Sequence, residues 1–226
     1  PPVSQVVFGL CHWVAPDSLI ALKIVFTVFD LGTGFLLVQW FRRRDMDPRW
    51  SLLYFLNPLV LKEVANTAHL DAIPMFLSFS AIYFMSRPAR RRNLLAWVVL
   101  ALAVGSKLYP LVLVPFFLRL DAHRWRHLLL FVGVLVVVYL PFLGAGTHLL
   151  GGTAGFARYW VFNASVYQLT TWFFDGLSRI VPAIQNLQVN QWPAKLLLGV
   201  AFLSAVAWRS RRLSSHDQIP AAALWT

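Results

Sequence analysis

Side chains that could do acid–base or metal chemistry are concentrated between Asn57 and Asp71. His69 and Asp71 stand two residues apart, so on an extended or turn segment they could point the same way, with Glu63 arriving from a neighbouring turn. Such a group could take a proton from a hydroxyl as base and orienter, or bind a divalent cation such as Mg²⁺ or Mn²⁺ through His69 and Asp71. In the simpler alternative, His69 is only interfacial and Asp71 caps a helix that begins near Ala72.

A second candidate is Lys107, in a polar turn inside the apolar stretch from Leu94 to Leu118. An ammonium group is costly there unless it meets an anion or water. A lipid phosphate would satisfy it, with Tyr109 beside it and Lys62 as a further cation. The alternative is a lysine that only extends to the membrane interface next to Tyr109.

A glycine-rich stretch follows Leu143 and leads into an aromatic segment. There Arg158, Trp160 and Asn163 could meet a sugar or a phosphate by hydrogen bonding and stacking. The alternative is a helix that lies in the membrane interface and binds no ligand.

Asp30 lies within an apolar run, where an ionisable side chain is a functional candidate by default. We favour a structural hydrogen bond within the helix bundle over a role in proton relay or catalysis.

The composition indicates the kind of scaffold that must position these residues. Hydrophobic residues make up 58% of the 226 residues and charged residues 13%, whereas a soluble domain carries about a quarter charged residues. The net charge of +11 comes from short clusters between apolar runs, which argues against nucleic acid as a partner. The single cysteine, Cys11, excludes an intrachain disulfide. We predict an all-α, polytopic transmembrane bundle of about six to eight membrane-embedded helices, forming one membrane domain over residues 1–226.

Apolar runs of suitable length define the predicted spans. The clearest are Ser18–Phe41, Leu70–Met85, His127–Leu143 and Ala194–Trp208, and a shorter one is Trp50–Leu61. The stretch from Leu94 to Leu118 reads as two short helices that meet at the polar turn around Lys107.

Most of the lysines and arginines fall in four clusters. They are Arg42, Arg43, Arg44 and Arg49; Arg87, Arg90, Arg91 and Arg92; Arg119, Arg124 and Arg126; and Arg209, Arg211 and Arg212. If the chain crosses at every predicted span, all four lie on one side, as the positive-inside rule requires. This places loops 42–49, 86–93 and 119–126 in the cytoplasm and loops 57–71, 106–110 and 144–193 on the other face of an inner or plasma membrane.

The order of several short motifs resembles bacterial GT-C membrane glycosyltransferases, and more narrowly the polyprenol-phosphate-dependent mannosyltransferase-like group. The motifs are Pro1-Pro-Val-Ser-Gln5, Phe29-Asp30-Leu31, Asn57-Pro58, His69-Leu-Asp71, Lys107-Leu-Tyr-Pro110 and Tyr159-Trp-Val-Phe-Asn163. The resemblance runs from Pro1 to about Trp208.

The resemblance implies inverting transfer of a sugar, mannose or another hexose, from a polyprenyl-phosphate donor to a glycan or lipid acceptor on the non-cytoplasmic face. It implies that Lys107 lies near the lipid phosphate and that His69 and Asp71 shape the sugar or metal site. The family's catalytic aspartate belongs to the first outer loop, which we expect to precede Pro1 together with the first span. Asp71 is then a second carboxylate.

Two other functions fit the same residues. A transporter or flippase subunit for a lipid-linked or anionic substrate would concentrate its polar groups near the bilayer midplane, where only Asp30 lies. A non-catalytic membrane scaffold would use His69, Asp71 and Lys107 only as interface residues.

Overall fold

A computed structural model describes residues 1–86, 89–149, 151, 155, 165–180 and 192–213, and every regular element in these residues is helical. The α-helices are α1 (Pro2–Val14), α2 (Leu19–Arg43), α3 (Leu52–Phe55), α4 (Pro58–Val60), α5 (Ala72–Met85), α6 (Arg90–Ser106), α7 (Val114–Leu120), α8 (Arg124–Tyr139), α9 (Ser165–Ile180) and α10 (Trp192–Arg211). Segments Pro48–Ser51, Tyr109–Leu113 and Leu140–Leu149 are 3-10 helical, and Leu61–Asn66 is π-helical. The all-α class is confirmed for this part of the chain.

Two of the described helices are long and apolar enough to cross a membrane. They are Leu19–Arg43 and Arg124–Gly146, and the helices Ala72–Met85 and Tyr109–Leu120 are apolar but shorter. The two long helices coincide with the predicted spans Ser18–Phe41 and His127–Leu143. The total of six to eight membrane-embedded helices stays a prediction.

The predicted span Trp50–Leu61 is broken in the structure. Helix α3 ends at Phe55, and Asn57 takes an extended conformation before α4 begins at Pro58. Proline disfavours helical geometry in the residue before it and has no N–H to donate, so one straight helix cannot run through this point. The Asn57 side chain caps the new helix by accepting a hydrogen bond of 2.9 Å from the Leu59 amide.

The described residues form two compact units. The first consists of residues Pro1–Pro141 and the described residues from Ser210 to Leu213, and the second consists of the described residues between Phe142 and Arg209. In the first unit α6 packs against both α5 and α8, and α2 packs against α5. Helix α6 is suited to this central place because residues such as Ala96, Ala101 and Ala103 are fully buried and allow close approach.

Close contacts at glycines bring α2 against its neighbours. A Cβ atom built on Gly34 would lie 1.9 Å from the ring of Phe55, and one on Gly32 would lie 2.7 Å from the ring of Phe76. Both rings therefore occupy space that any side chain at these positions would need. Gly32 and Gly34 allow the segment around α3 and helix α5 to pack on the backbone of α2.

The buried carboxylate of Asp121 links the first half of α6, the end of α7 and the start of α8 by hydrogen bonds. Asp121 follows α7 and its side chain is fully buried. It accepts hydrogen bonds from Asn93 Nδ2 at 3.2 Å, Trp97 Nε1 at 2.8 Å, the His123 amide at 3.0 Å and His127 Nδ1 at 2.5 Å. Burial acts to raise the pKa of Asp121, but the hydrogen bonds, led by that of His127, outweigh it and hold the pKa below its usual value.

Candidate active site

The antiparallel pairing of α5 and α6 brings two of the predicted residues to one end of the first unit. The short connection between these packed helices places the start of α5 beside the end of α6. Asp71 immediately precedes α5, and Lys107 immediately follows α6. Residues 36 positions apart thus become neighbours.

Asp71 stands between a lysine and a histidine. Lys107 Nζ donates a hydrogen bond to Asp71 Oδ1, and His69 Nδ1 lies 3.0 Å from Asp71 Oδ2. The three side chains are between 34% and 45% exposed, so the cluster is open to a ligand rather than sealed in the core. A cation, a carboxylate and an imidazole converge on one partly open surface.

The end of α6 is held so that Lys107 leaves the helix at a defined place. Ser106 is fully buried, and its carbonyl accepts a hydrogen bond of 2.9 Å from Ser4 Oγ of α1. The next residue, Lys107, has extended backbone angles, φ −162° and ψ 150°. The direction of the Lys107 side chain therefore depends on where α6 ends and on the hydrogen bond between α1 and α6.

The expectation that Asp71 caps α5 is not met. Asp71 has helical backbone angles and its side chain makes no capping hydrogen bond. A capping residue needs an extended backbone to turn its side chain back onto the first free amides. Here Lys107 and His69 engage the carboxylate oxygens instead.

A strained turn presents His69 to Asp71. The π-helical segment Leu61–Asn66 is followed by Ala68 in the left-handed region, with φ 55°. This conformation is unfavourable for a residue with a Cβ atom and is often found at functional sites. The His69 amide then donates a hydrogen bond of 2.8 Å to the Glu63 carbonyl, which holds the turn against the π-helical segment.

The structure places the other predicted residues of this region in different surroundings. Glu63 pairs with the exposed Lys62 at 3.7 Å, and no bond joins either side chain to Asp71. Tyr109 is 46% exposed and lies near enough to Asp71 for the charge of the carboxylate to act on its phenol. The predicted sugar ligands Arg158, Trp160 and Asn163 lie outside the described residues.

A divalent cation at the predicted site would share Asp71 with Lys107 and His69. In the described part of the chain, no group of three or more His, Cys, Asp or Glu side chains converges. Both oxygens of Asp71 are engaged, one of them by an ammonium group that would repel a metal ion. Mg²⁺ is often bound by one or two carboxylates together with water and substrate phosphates, and the divalent cation at His69 and Asp71 stays a prediction.

Sequence reasoning missed the partner of Asp30. Tyr54 Oη donates a hydrogen bond to Asp30 Oδ1. A lone carboxylate in an apolar helix requires a polar partner, and Tyr54 was a candidate as a polar aromatic residue in the next apolar run. The pairing itself depends on the close contact at Gly34, which the sequence pattern does not show.

Comparison with known proteins identifies the class to which this arrangement belongs. The whole chain, residues 1–226, matches the model of glycosyltransferase family 87, so the chain belongs to that family. This confirms the resemblance to the GT-C membrane glycosyltransferases.

One curated relative is GPI mannosyltransferase 1 of Gibberella zeae, which is 30% identical over 97 residues. The match covers 41% of this chain and 22% of the relative, so the chain spans about a fifth of the relative's length. No solved structure matches the chain.

Proposed function

We propose that this chain is part of a membrane glycosyltransferase that moves mannose or another hexose from a polyprenyl-phosphate donor to a glycan or lipid acceptor on the non-cytoplasmic face, with inversion. The observation that carries the proposal is the convergence of Lys107, His69 and Asp71 on one open surface, in a chain of a glycosyltransferase family. Its relative from Gibberella zeae is described as a mannosyltransferase.

The reaction needs stabilisation of a leaving phosphate and removal of one proton. The acceptor hydroxyl oxygen attacks the anomeric carbon, the bond from that carbon to the phosphate oxygen breaks, and the phosphate departs with the electron pair. Lys107 supplies a cation for the departing phosphate, because an ammonium group has three donors and can bond to Asp71 and a phosphate together. The hydrogen bond to Asp71 keeps that ammonium group at the C-terminal end of α6.

His69 and Asp71 form a base and its orienter. When Nδ1–H of His69 donates to Asp71 Oδ2, the other ring nitrogen, Nε2, carries a free lone pair that can accept the hydroxyl proton. The same arrangement of carboxylate and imidazole orients the base in other group-transfer enzymes. The resemblance predicts a further catalytic aspartate, with which this pair would share the site.

Substitution of Lys107 tests the proposal. Membranes that contain the full-length natural protein are incubated with radiolabelled polyprenyl-phosphate-mannose and lipid extract, and labelled product is quantified. Loss of one preorganised donor to a developing charge costs about 10²–10³ in rate, so we expect K107A to lower transfer by about that factor. Arg49→Ala, which removes an exposed cation from the predicted cytoplasmic loop 42–49, is the control and should transfer label like the wild type.

Two results would overturn the proposal in different ways. Transfer by K107A within about threefold of the Arg49→Ala control would remove the assigned role of Lys107. Movement of the labelled lipid between leaflets without product from the wild type would favour the transporter alternative.

A further inference from the structure

A second polar group in the first unit, formed by Asp30 and Tyr54, has no role in the reaction proposed for Lys107, His69 and Asp71. Asp30, in α2, accepts a hydrogen bond from Tyr54 Oη. Thr33, one turn further along α2, lies near the Tyr54 side chain. The hydrogen bond between Asp30 and Tyr54 joins α2 to α3.

Packing places Asp30 on the face of α2 that contacts the start of α5. Phe26 forms one buried cluster with Val64, Ala72 and Ile73. Ala72 directly follows Asp71, and Asp30 lies one helical turn beyond Phe26 on the same face of α2, a rise of about 5.4–6 Å. The phenols of Tyr54 and Tyr109 also interact electrostatically, and Tyr109 in turn interacts with Asp71.

The Asp30 carboxylate has fewer partners than a closed structural pair would have. In the part of the chain that the structure describes, Tyr54 is its one hydrogen-bond partner and no cation pairs with it. Asp30 and Tyr54 are both partly exposed rather than buried. A carboxylate in an apolar helix is costly unless it meets hydrogen-bond donors, and Tyr54 leaves the second oxygen, Oδ2, open to more of them.

We propose that Asp30 and Tyr54 form a binding subsite for the hydroxyl groups of the donor's sugar, next to the phosphate subsite at Lys107. This inference rests on the proposed function and assigns a role to residues that it leaves unused.

The charges of the two subsites match the two parts of such a donor. A phosphate is an anion and fits the ammonium group of Lys107, whereas the Asp30 carboxylate would repel it. Sugar hydroxyls donate hydrogen bonds, and a carboxylate only accepts them. Because the sugar is bonded directly to the phosphate, its subsite must adjoin that of the phosphate, and the electrostatic contacts from Tyr54 to Tyr109 and from Tyr109 to Asp71 link the two.

The test compares two lipids that differ only in the sugar. Full-length natural protein in lipid nanodiscs is titrated with polyprenyl phosphate and with polyprenyl-phosphate-mannose, and both dissociation constants are measured. Hydrogen bonds to a charged group contribute about 1.5–3 kcal/mol, so the wild type should prefer the sugar-bearing lipid by about tenfold or more. Asp30→Asn and Tyr54→Phe should each reduce this preference severalfold and leave the affinity for bare polyprenyl phosphate unchanged.

Control variants separate the outcomes. Asp45 is exposed in the predicted cytoplasmic loop, so the Asp45→Asn variant should bind both lipids like the wild type. The Lys107→Ala variant should bind both lipids more weakly. Equal affinity of the wild type for both lipids, or an equal loss of both in Tyr54→Phe, would overturn the sugar subsite alone. Binding of neither lipid by the wild type would overturn the proposed function and the subsite together. If Asp30→Asn does not fold, Tyr54→Phe decides.

Discussion

The buried carboxylate of Asp121 offers the sharpest test of how the first unit is held together. In Asp121→Asn the shape of the side chain is kept, while one acceptor oxygen is replaced by an NH₂ group. One oxygen of Asp121 accepts from Asn93 and the His123 amide, and the other accepts from Trp97 and His127. Either orientation of the new amide therefore leaves a buried donor facing another donor.

The size of the effect can be worked out from these contacts. With the NH₂ group towards Trp97, the indole N–H loses its acceptor, since an indole can only donate. With the NH₂ group on the other side, the His123 amide loses its acceptor. One unsatisfied buried donor costs about 1–3 kcal/mol, and the remaining bonds lose the contribution of the negative charge. We expect a total loss of about 3 kcal/mol in the free energy of unfolding.

Thermal unfolding in detergent, followed by tryptophan fluorescence, measures this loss. For a chain of this length 1 kcal/mol corresponds to about 2–4 °C, so Asp121→Asn should lower the midpoint by about 6–12 °C. The matched control is Asp45→Asn, because Asp45 is exposed and asparagine tolerates its positive φ of 52°. Midpoints of the two variants within about 1 °C of each other would refute the role assigned to Asp121.

Three further predictions use the same measurement. Gly34→Ala should lower the unfolding free energy by about 1–3 kcal/mol because the new Cβ would meet the Phe55 ring, whereas Gly9→Ala, with nothing within 4 Å, should not; equal midpoints would contradict the close contact. Ala68→Gly should raise stability by about 1 kcal/mol by relieving the positive φ, and a lower midpoint would argue against strain there. The pKa of Asp121 is held low in the folded state, so its contribution to stability is present above the unfolded pKa of about 3.9 and is lost as pH falls through the folded pKa. The unfolding midpoint of Asp121→Asn should therefore depend less on acid pH than that of the wild type. An unchanged dependence would show that Asp121 is not the source of the acid sensitivity.

The sequence was sufficient to select Asp71, His69 and Lys107 as candidates, and the structure brings their side chains together. Their positions at the ends of apolar runs can be read from hydropathy, and the positive-inside rule predicts that they face away from the arginine clusters. The contact between Lys107 and Asp71 depends in addition on the packing of α5 against α6. That packing involves buried side chains along both helices, which no local motif records.

Other features could not be predicted because they depend on burial. Asp121 lies in a predicted cytoplasmic loop among basic residues, and in such a loop an acidic side chain is expected to be exposed to water. In the structure it is buried and accepts hydrogen bonds from four donors. Tyr54 pairs with Asp30 only because Gly34 lets α3 approach α2. In both cases the position of a whole helix decides which polar atoms meet.

The π-helical segment Leu61–Asn66 has a consequence for insertions and deletions. Its hydrogen bonds span one more residue than those of an α-helix. Removing one residue would restore the ordinary α-helical pitch and rotate the turn that carries His69 by about 100°, so that its imidazole would point away from Asp71. No side chain of the cluster would change. At this point the number of residues, independently of their identity, is under structural constraint.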